Sequence, residues 1–209
     1  MNCTDGYFYY GFDYAGVKAP WVSCMAQGEG ISVLVRAYEH TGEQIYLDHC
    51  KKALAPLFKN IEEGGVGYVF PSGLRILEEY PKSDPDHVLN GLLYCLIGLI
   101  ELQQVAPSDE VANLLDESRQ TIEAYIDMWD LKYWSAYDGE GYGKGKRNSC
   151  TVSYHSLHVT QLTYVGTALN STLLTETAQR WNKGLNSLPR RLQAMSGKIR
   201  YRSTNKVVR

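Results

Sequence analysis

Apolar residues along this chain fall into helical runs that come in pairs. Met25, Ile31, Leu34, Val35 and Tyr38 recur at helical spacing, with Ser23 placed to cap the start and Gly42 to stop the run, which predicts a helix over 23–40. A second run, with Ile45, Leu47, Leu54 and Leu57 inward, predicts a helix over 43–60 that Pro56 should kink or break. Gly64-Gly65 then opens an extended excursion. Val66–Phe70 and Leu74–Tyr80 flank Pro71-Ser72-Gly73 and read as a β-hairpin. The helical pattern restarts over 86–105, apolar nearly all round, and is stopped by Pro107. Ser108 caps a further helix over 109–129, an extended piece covers Lys132–Asp138, and a glycine-rich loop runs to Lys146. A third pair occupies 152–169 and 172–194, the latter disturbed by Pro189, and Lys198–Arg202 reads as a final strand.

Helical pairs thus begin near 23, 86 and 152 without a repeat at the level of sequence. This layout predicts a mainly α fold, an incomplete α/α toroid (α/α barrel) of about three helical hairpins with short β-hairpin excursions; an irregular helical bundle is the alternative. Length and composition fit one domain over 1–209, with an N-terminal segment at 1–18 and a basic tail at 195–209. Net charge is only −2, but all 23 acids lie before residue 177. Nine bases follow: Arg180, Lys183, Arg190, Arg191, Lys198, Arg200, Arg202, Lys206 and Arg209. Such asymmetry fits a polyanion contact or a basic tail docked on an acidic body. The five cysteines have no paired spacing, which argues for reduced thiols and against a disulfide framework or a metal site. Residues 1–14 lack a basic n-region and a long apolar core, and 88–102 are too short to span a bilayer, so neither a signal peptide nor a membrane span is expected. The 16 tyrosines against 4 phenylalanines suit surfaces that grip amphipathic ligands such as sugars, or half-buried helix positions.

Chemistry-bearing residues gather in two places. Glu78-Glu79-Tyr80-Pro81 closes the predicted hairpin; strict alternation would put Glu78 and Tyr80 on one face and Glu79 on the other, although at a strand end either glutamate could line a site. Tyr154, His155 and His158 open a helix, Tyr154 and His158 sharing a face with Gln161 beyond them. They could hold an anion or orient a phenol, or be rim and core residues. Tyr137-Asp138 opens the glycine-rich loop, whose Lys144, Lys146 and Arg147 could close over an anionic ligand.

Ala19-Pro20-Trp21-Val22-Ser23-Cys24-Met25-Ala26-Gln27-Gly28, then Leu34–Tyr38, Glu78–Pro81, Val88–Gly91, Leu96–Leu99 and Tyr154-His155 with His158 and Gln161-Leu162 resemble, in order, the C-terminal domain of D-glucuronyl C5-epimerases. The resemblance covers about residues 19–185. It implies an α/α barrel that inverts C5 of glucuronate units in an acidic polysaccharide of the heparan sulfate type, giving iduronate without metal or other cofactor. It places the family's catalytic groups on Glu79, Tyr80, Tyr137 and Tyr154. Substrate-binding residues on this reading are Trp21, Gln27, Asn90, Arg147, His155 and His158. The family's cation after the Tyr137-Asp138 motif is replaced by Gly139-Glu140, so Lys144, Lys146 or Arg147 would have to supply it. His155, His158, Arg147 and Arg75 are the candidates to neutralise the substrate carboxylate or lower a phenol's pKa. The expected partner is the acidic polysaccharide, with no nucleic acid. A homodimer, or the β-rich region that precedes this domain in animal enzymes, are alternatives for completing the cleft. A uronate lyase, or a glycan-binding toroid without catalysis, are the competing functions.

Overall fold

A computed structural model describes residues 2–4, 6–145 and 147–204, with backbone only at 2–4. Lys146, Lys206 and Arg209 lie outside the described residues. The protein is mainly helical, with a three-stranded and a two-stranded antiparallel sheet among the described residues. It divides into two compact units, Met1–His87 with Gly91–Ile122, and Val88–Asn90 with Glu123–Arg209.

In the first unit β1 (Asn2–Thr4), β2 (Tyr7–Tyr10) and β3 (Trp21–Val22) form a sheet in sequence order, with Tyr9 opposite Val22 and Tyr10 opposite Trp21. The helix predicted at 23–40 is α1 (Cys24–Thr41). Ser23 holds the N-cap position with extended backbone but makes no capping bond. Gly42 takes the left-handed conformation that ends the helix and donates to Tyr38 O at 2.7 Å. Cys24, Gln27, Gly28, Ile31 and Val35 give α1 its buried stripe.

The second run is shorter than predicted: α2 (Ile45–Ala53) gives way to a 3-10 turn containing Pro56, whose missing N–H and fixed φ end the helix. The hairpin forms as β4 (Gly67–Val69) and β5 (Arg75–Leu77), with Tyr68 opposite Ile76. It stops at Leu77, three residues before its predicted end. Helices α3 (Leu89–Val105) and α4 (Asp109–Tyr125) follow, and Ser108 Oγ accepts the Val111 N–H as the predicted cap. A Cβ on Gly28 or on Gly98 would collide with the backbone of the other helix, so α1 and α3 touch backbone to backbone.

In the second unit the predicted extended piece is a loop held by isolated bridges, Asp130 to Ser135 and Ala136 to Ser149. Asp130 organises it, accepting from Lys132 N at 2.7 Å, Trp181 Nε1 at 2.9 Å and Arg180 at 2.6 Å. Helices α5 (Val152–Ala168) and α6 (Thr172–Leu185) are capped by Thr151 and Ser171. The predicted strand at Lys198–Arg202 is instead part of α7 (Leu188–Thr204). Its alternating charges mimic a strand, but Pro189 sits in the first turn and Arg, Leu, Gln, Ala, Met and Lys follow, all good helix formers. Arg190, Ala194, Gly197, Lys198 and Tyr201 turn inward at helical spacing, and Ala194 joins Trp134 and Cys150 in the core of this unit. Cys24, Cys50, Cys95 and Cys150 are free, buried thiols. No helix among the described residues is long and apolar enough to cross a membrane.

Candidate functional site

The strand stop at Leu77 decides what the two glutamates do. Glu78 is buried, and its carboxylate is held by His87 through Nδ1 at 2.5 Å and the backbone N–H at 3.2 Å. Its backbone accepts Cys24 N–H and donates to Val66 O, tying the start of α1 to the hairpin. Glu78 is therefore structural. Glu79 and Tyr80 line one pocket together, against strict alternation, because the chain has left the sheet before reaching them.

That pocket is built from β2, the loop after it and β3. Its volume is about 180 Å³ and its walls are Tyr10, Phe12, Tyr14, Trp21, Ser23, Met25, Glu79 and Tyr80. The rings interlock: Tyr10 and Trp21 centroids are 4.4 Å apart, Trp21 and Tyr80 5.9 Å, Tyr14 and Tyr80 5.6 Å. Trp21 Nε1 donates to Phe12 O at 2.8 Å, which fixes the indole and the loop together. Full ligand sites run to roughly 300–1,000 Å³, so this space suits one ring of a larger ligand. Phe12 and Tyr14 are more than half exposed and form its rim.

Glu79 is 4% exposed, and its Oε2 has no hydrogen-bond partner among the described residues. Burial pushes its pKa up to about 7, opposed by a hydrogen bond from Tyr80 and reinforced by Glu29, Glu78 and Asp86. A carboxyl that titrates near neutrality, on a residue that lines a pocket, is suited to taking or giving a proton. Trp21 and Tyr80 line this pocket beside it. Gln27 does not. It is fully buried, accepts Phe8 N–H at 2.6 Å and donates to Gly6 O and Ala53 O at 2.9 and 2.8 Å. It clips β2 to α1 and α2, which corrects its expected place in substrate binding. Arg75 is likewise committed, to Asn60, Leu57 O, Lys59 O and Glu117.

The second group lies in the other unit. Tyr154 stands on the first turn of α5, 42% exposed, and Tyr137 meets it edge to face with centroids 5.1 Å apart. Tyr137 is held by its backbone, donating to Asn148 O and accepting Leu89 N–H. His155 and His158, in contrast, are completely buried. His155 stacks on Trp134, accepts Ser135 N–H at Nδ1 and faces Trp181 O through Nε2 at 3.1 Å. His158 Nδ1 lies 3.0 Å from Ser135 Oγ and 3.6 Å from Cys150 Sγ. Burial lowers their pKa values to about 4 and about 3, so both are neutral. That corrects their expected role as cations for an anionic ligand. Arg147 donates through Nη2 to Asp127 O and Met128 O and lies over the Tyr142 ring, while its Nε has no hydrogen-bond partner among the described residues. Asn90 is buried, with its carbonyl O accepting from Gln161 Nε2 at 3.4 Å and its own Oδ1 unpartnered.

Two features escaped the sequence reading. Tyr10, Phe12 and Tyr14 wall the first pocket, and the dense aromatic run Tyr7–Tyr14 was the visible signal. Lys198 reaches the Tyr137 ring, with Nζ 5.8 Å from its centroid; read as part of a strand in a basic tail, it carried no signal.

The family described as the D-glucuronyl C5-epimerase C-terminus matches residues 1–183. A D-glucuronyl C5-epimerase of Caenorhabditis elegans is 35% identical over 175 residues, 77% of this chain and 28% of that protein. An uncharacterised protein of Methanocaldococcus jannaschii is 23% identical over 194 residues, 87% of this chain and 59% of its own length. The chain therefore spans less than two thirds of either relative. The family match across most of its length places the chain in the D-glucuronyl C5-epimerase C-terminal family.

Proposed function

We propose that this chain carries the proton-transfer residues of a uronyl C5-epimerase acting on glucuronate units of an acidic polysaccharide. The observation that carries the reading is Glu79: a carboxyl with a pKa of about 7 and a buried, unpartnered oxygen, on a residue that lines an aromatic pocket. The C5–H of a uronate is α to its carboxylate. A base takes that proton, the electron pair of the C–H bond moves into the carboxylate, and a proton returned to the opposite face of C5 completes the inversion. The sugar gains and loses one proton, so no redox partner is needed. Glu79, half ionised near neutral pH, is the proposed base, with Tyr80 hydrogen-bonded beside it. Tyr10, Trp21 and Tyr80 offer apolar ring faces to the C–H faces of a sugar. Tyr154, solvent-accessible and in contact with Tyr137, is the proposed second proton-transfer group. It is assigned by its chemistry and by the family resemblance.

The test is exchange of the C5 proton of unsulfated glucuronate polymer in deuterated water. Wild-type protein is expected to incorporate deuterium at C5, and Glu79→Gln and Tyr154→Phe are each expected to reduce it at least a hundredfold with unchanged circular dichroism, within the usual range for an acid–base group. Normal exchange in either variant removes that residue from the chemistry. Formation of an unsaturated uronate would identify a lyase, and binding without exchange a glycan-binding domain.

A further inference from the structure

An acidic polysaccharide presents a carboxylate on each uronate unit, and a cation with donors to spare is suited to receive it. The histidines are neutral, and Arg147 is anchored through Nη2 to two backbone carbonyls. Lys198 is differently placed. The inward face of α7 seats it: Ala194 is buried in the core, and a Cβ on Gly197 would lie 2.8 Å from Ser149 Oγ, so the helix runs close along the loop before α5. Lys198 Nζ donates to Asn148 Oδ1 at 2.6 Å and lies 5.8 and 5.9 Å from the ring centroids of Tyr137 and Tyr201.

An ammonium has three donors, and here one goes to a neutral amide. The other end of that amide donates to Asp138 Oδ2 at 2.5 Å, so Asn148 stands between the lysine and the carboxylate. Lys198 forms no ion pair among the described residues. Burial lowers its pKa, and Arg202 adds to this while Cys150 and Asp138 oppose it. A half-buried ammonium between two phenol rings, without a contacting counter-ion, is costly to maintain for structure alone and well formed to receive an anion.

We infer that Lys198 is a cation that receives a uronate carboxylate of the acidic polysaccharide beside Tyr137, within the second unit. The nearby acids Asp138 and Glu140, the latter accepting from the Tyr201 hydroxyl at 3.3 Å, disfavour a doubly charged anion such as phosphate and leave a single carboxylate as the matching ligand. Lys198 lies outside residues 1–183, the stretch that matches the family, so this cation is brought to the site by α7. The inference rests on the epimerase reading.

The test compares binding of a glucuronate oligosaccharide with that of its carboxyl-reduced counterpart, by calorimetry, in wild type, Lys198→Met and Lys198→Arg. Methionine keeps the apolar stem and its packing. Wild type is expected to favour the carboxylate form, Lys198→Met to lose about tenfold or more of that preference with binding of the reduced sugar unchanged, and Lys198→Arg to recover part of it. Full preference in Lys198→Met, or equal binding of both sugars by wild type, overturns the inference. The epimerase reading fails separately, if wild type shows the preference but no C5 exchange.

Discussion

The Glu79 side chain occupies space that exists only because residue 91 is glycine. A Cβ on Gly91 would collide with the Glu79 carboxyl and with its Cβ. Since α3 carries Gly91 in its first turn, the start of that helix forms the floor on which the carboxyl rests. Gly91→Ala should therefore displace Glu79 from the pocket wall. Alanine gains about 1 kcal/mol of helix propensity, which offsets part of the strain. Deuterium exchange is expected to fall at least tenfold, a loss of about 1.4 kcal/mol, while the melting temperature changes little. Full activity in this variant would contradict the contact.

The pH dependence of Glu79 has a definite sign. Its pKa is raised from 4.5 to about 7, so the folded protein binds the proton more tightly than the unfolded chain does. Stability from this group is present below the unfolded value and is lost as pH rises from about 4.5 to about 7, amounting to roughly 3 kcal/mol at most. Glu79→Gln should remove that slope, which denaturant melts at pH 5 and pH 8 would show. Activity should move the other way, rising through pH 7 as the base ionises.

The two buried histidines act oppositely. Their folded pKa values, about 4 and about 3, lie below the ordinary 6.5, so the unfolded chain takes up protons first as pH falls. Each should withdraw about 2 kcal/mol of stability between pH 6.5 and 5. In His158→Leu the acid side of the stability profile should be shallower by about that amount, read from urea midpoints across this range.

Gln27 makes three bonds to backbone in the interior. Gln27→Leu leaves Phe8 N–H, Gly6 O and Ala53 O without these partners, and should cost about 2–4 kcal/mol. Because this glutamine is not among the residues that line the pocket, sugar affinity at a temperature where the variant is folded should change little. A large affinity loss in a fully folded variant would restore it to the binding surface.

Much of this was legible before any tertiary contact was known. Helices at 24–41, 89–105, 109–125 and 152–168 fall close to their predicted spans because long apolar periodicity overrides local detail. The aromatic and acidic character of the Glu79-Tyr80 segment was visible too. The fate of neighbouring side chains was not. Glu78 and Glu79 are adjacent and chemically alike, and only the capture of Glu78 by His87 separates a structural carboxylate from a poised one. Gln27 and His155 carry polar groups that read as ligand contacts until their partners are known, and those partners are mostly backbone groups from distant residues.

What the sequence determined by itself was the helical class, the family and a list of candidate site residues, since these follow from periodicity and from ordered local motifs. Tertiary structure decided which of those residues titrate near neutrality, which are buried and neutral, and which cation stands beside Tyr137. The physical reason is that pKa and hydrogen-bond satisfaction depend on what surrounds a group in space. At Glu79 and Lys198 those surroundings come from elements far apart in the chain.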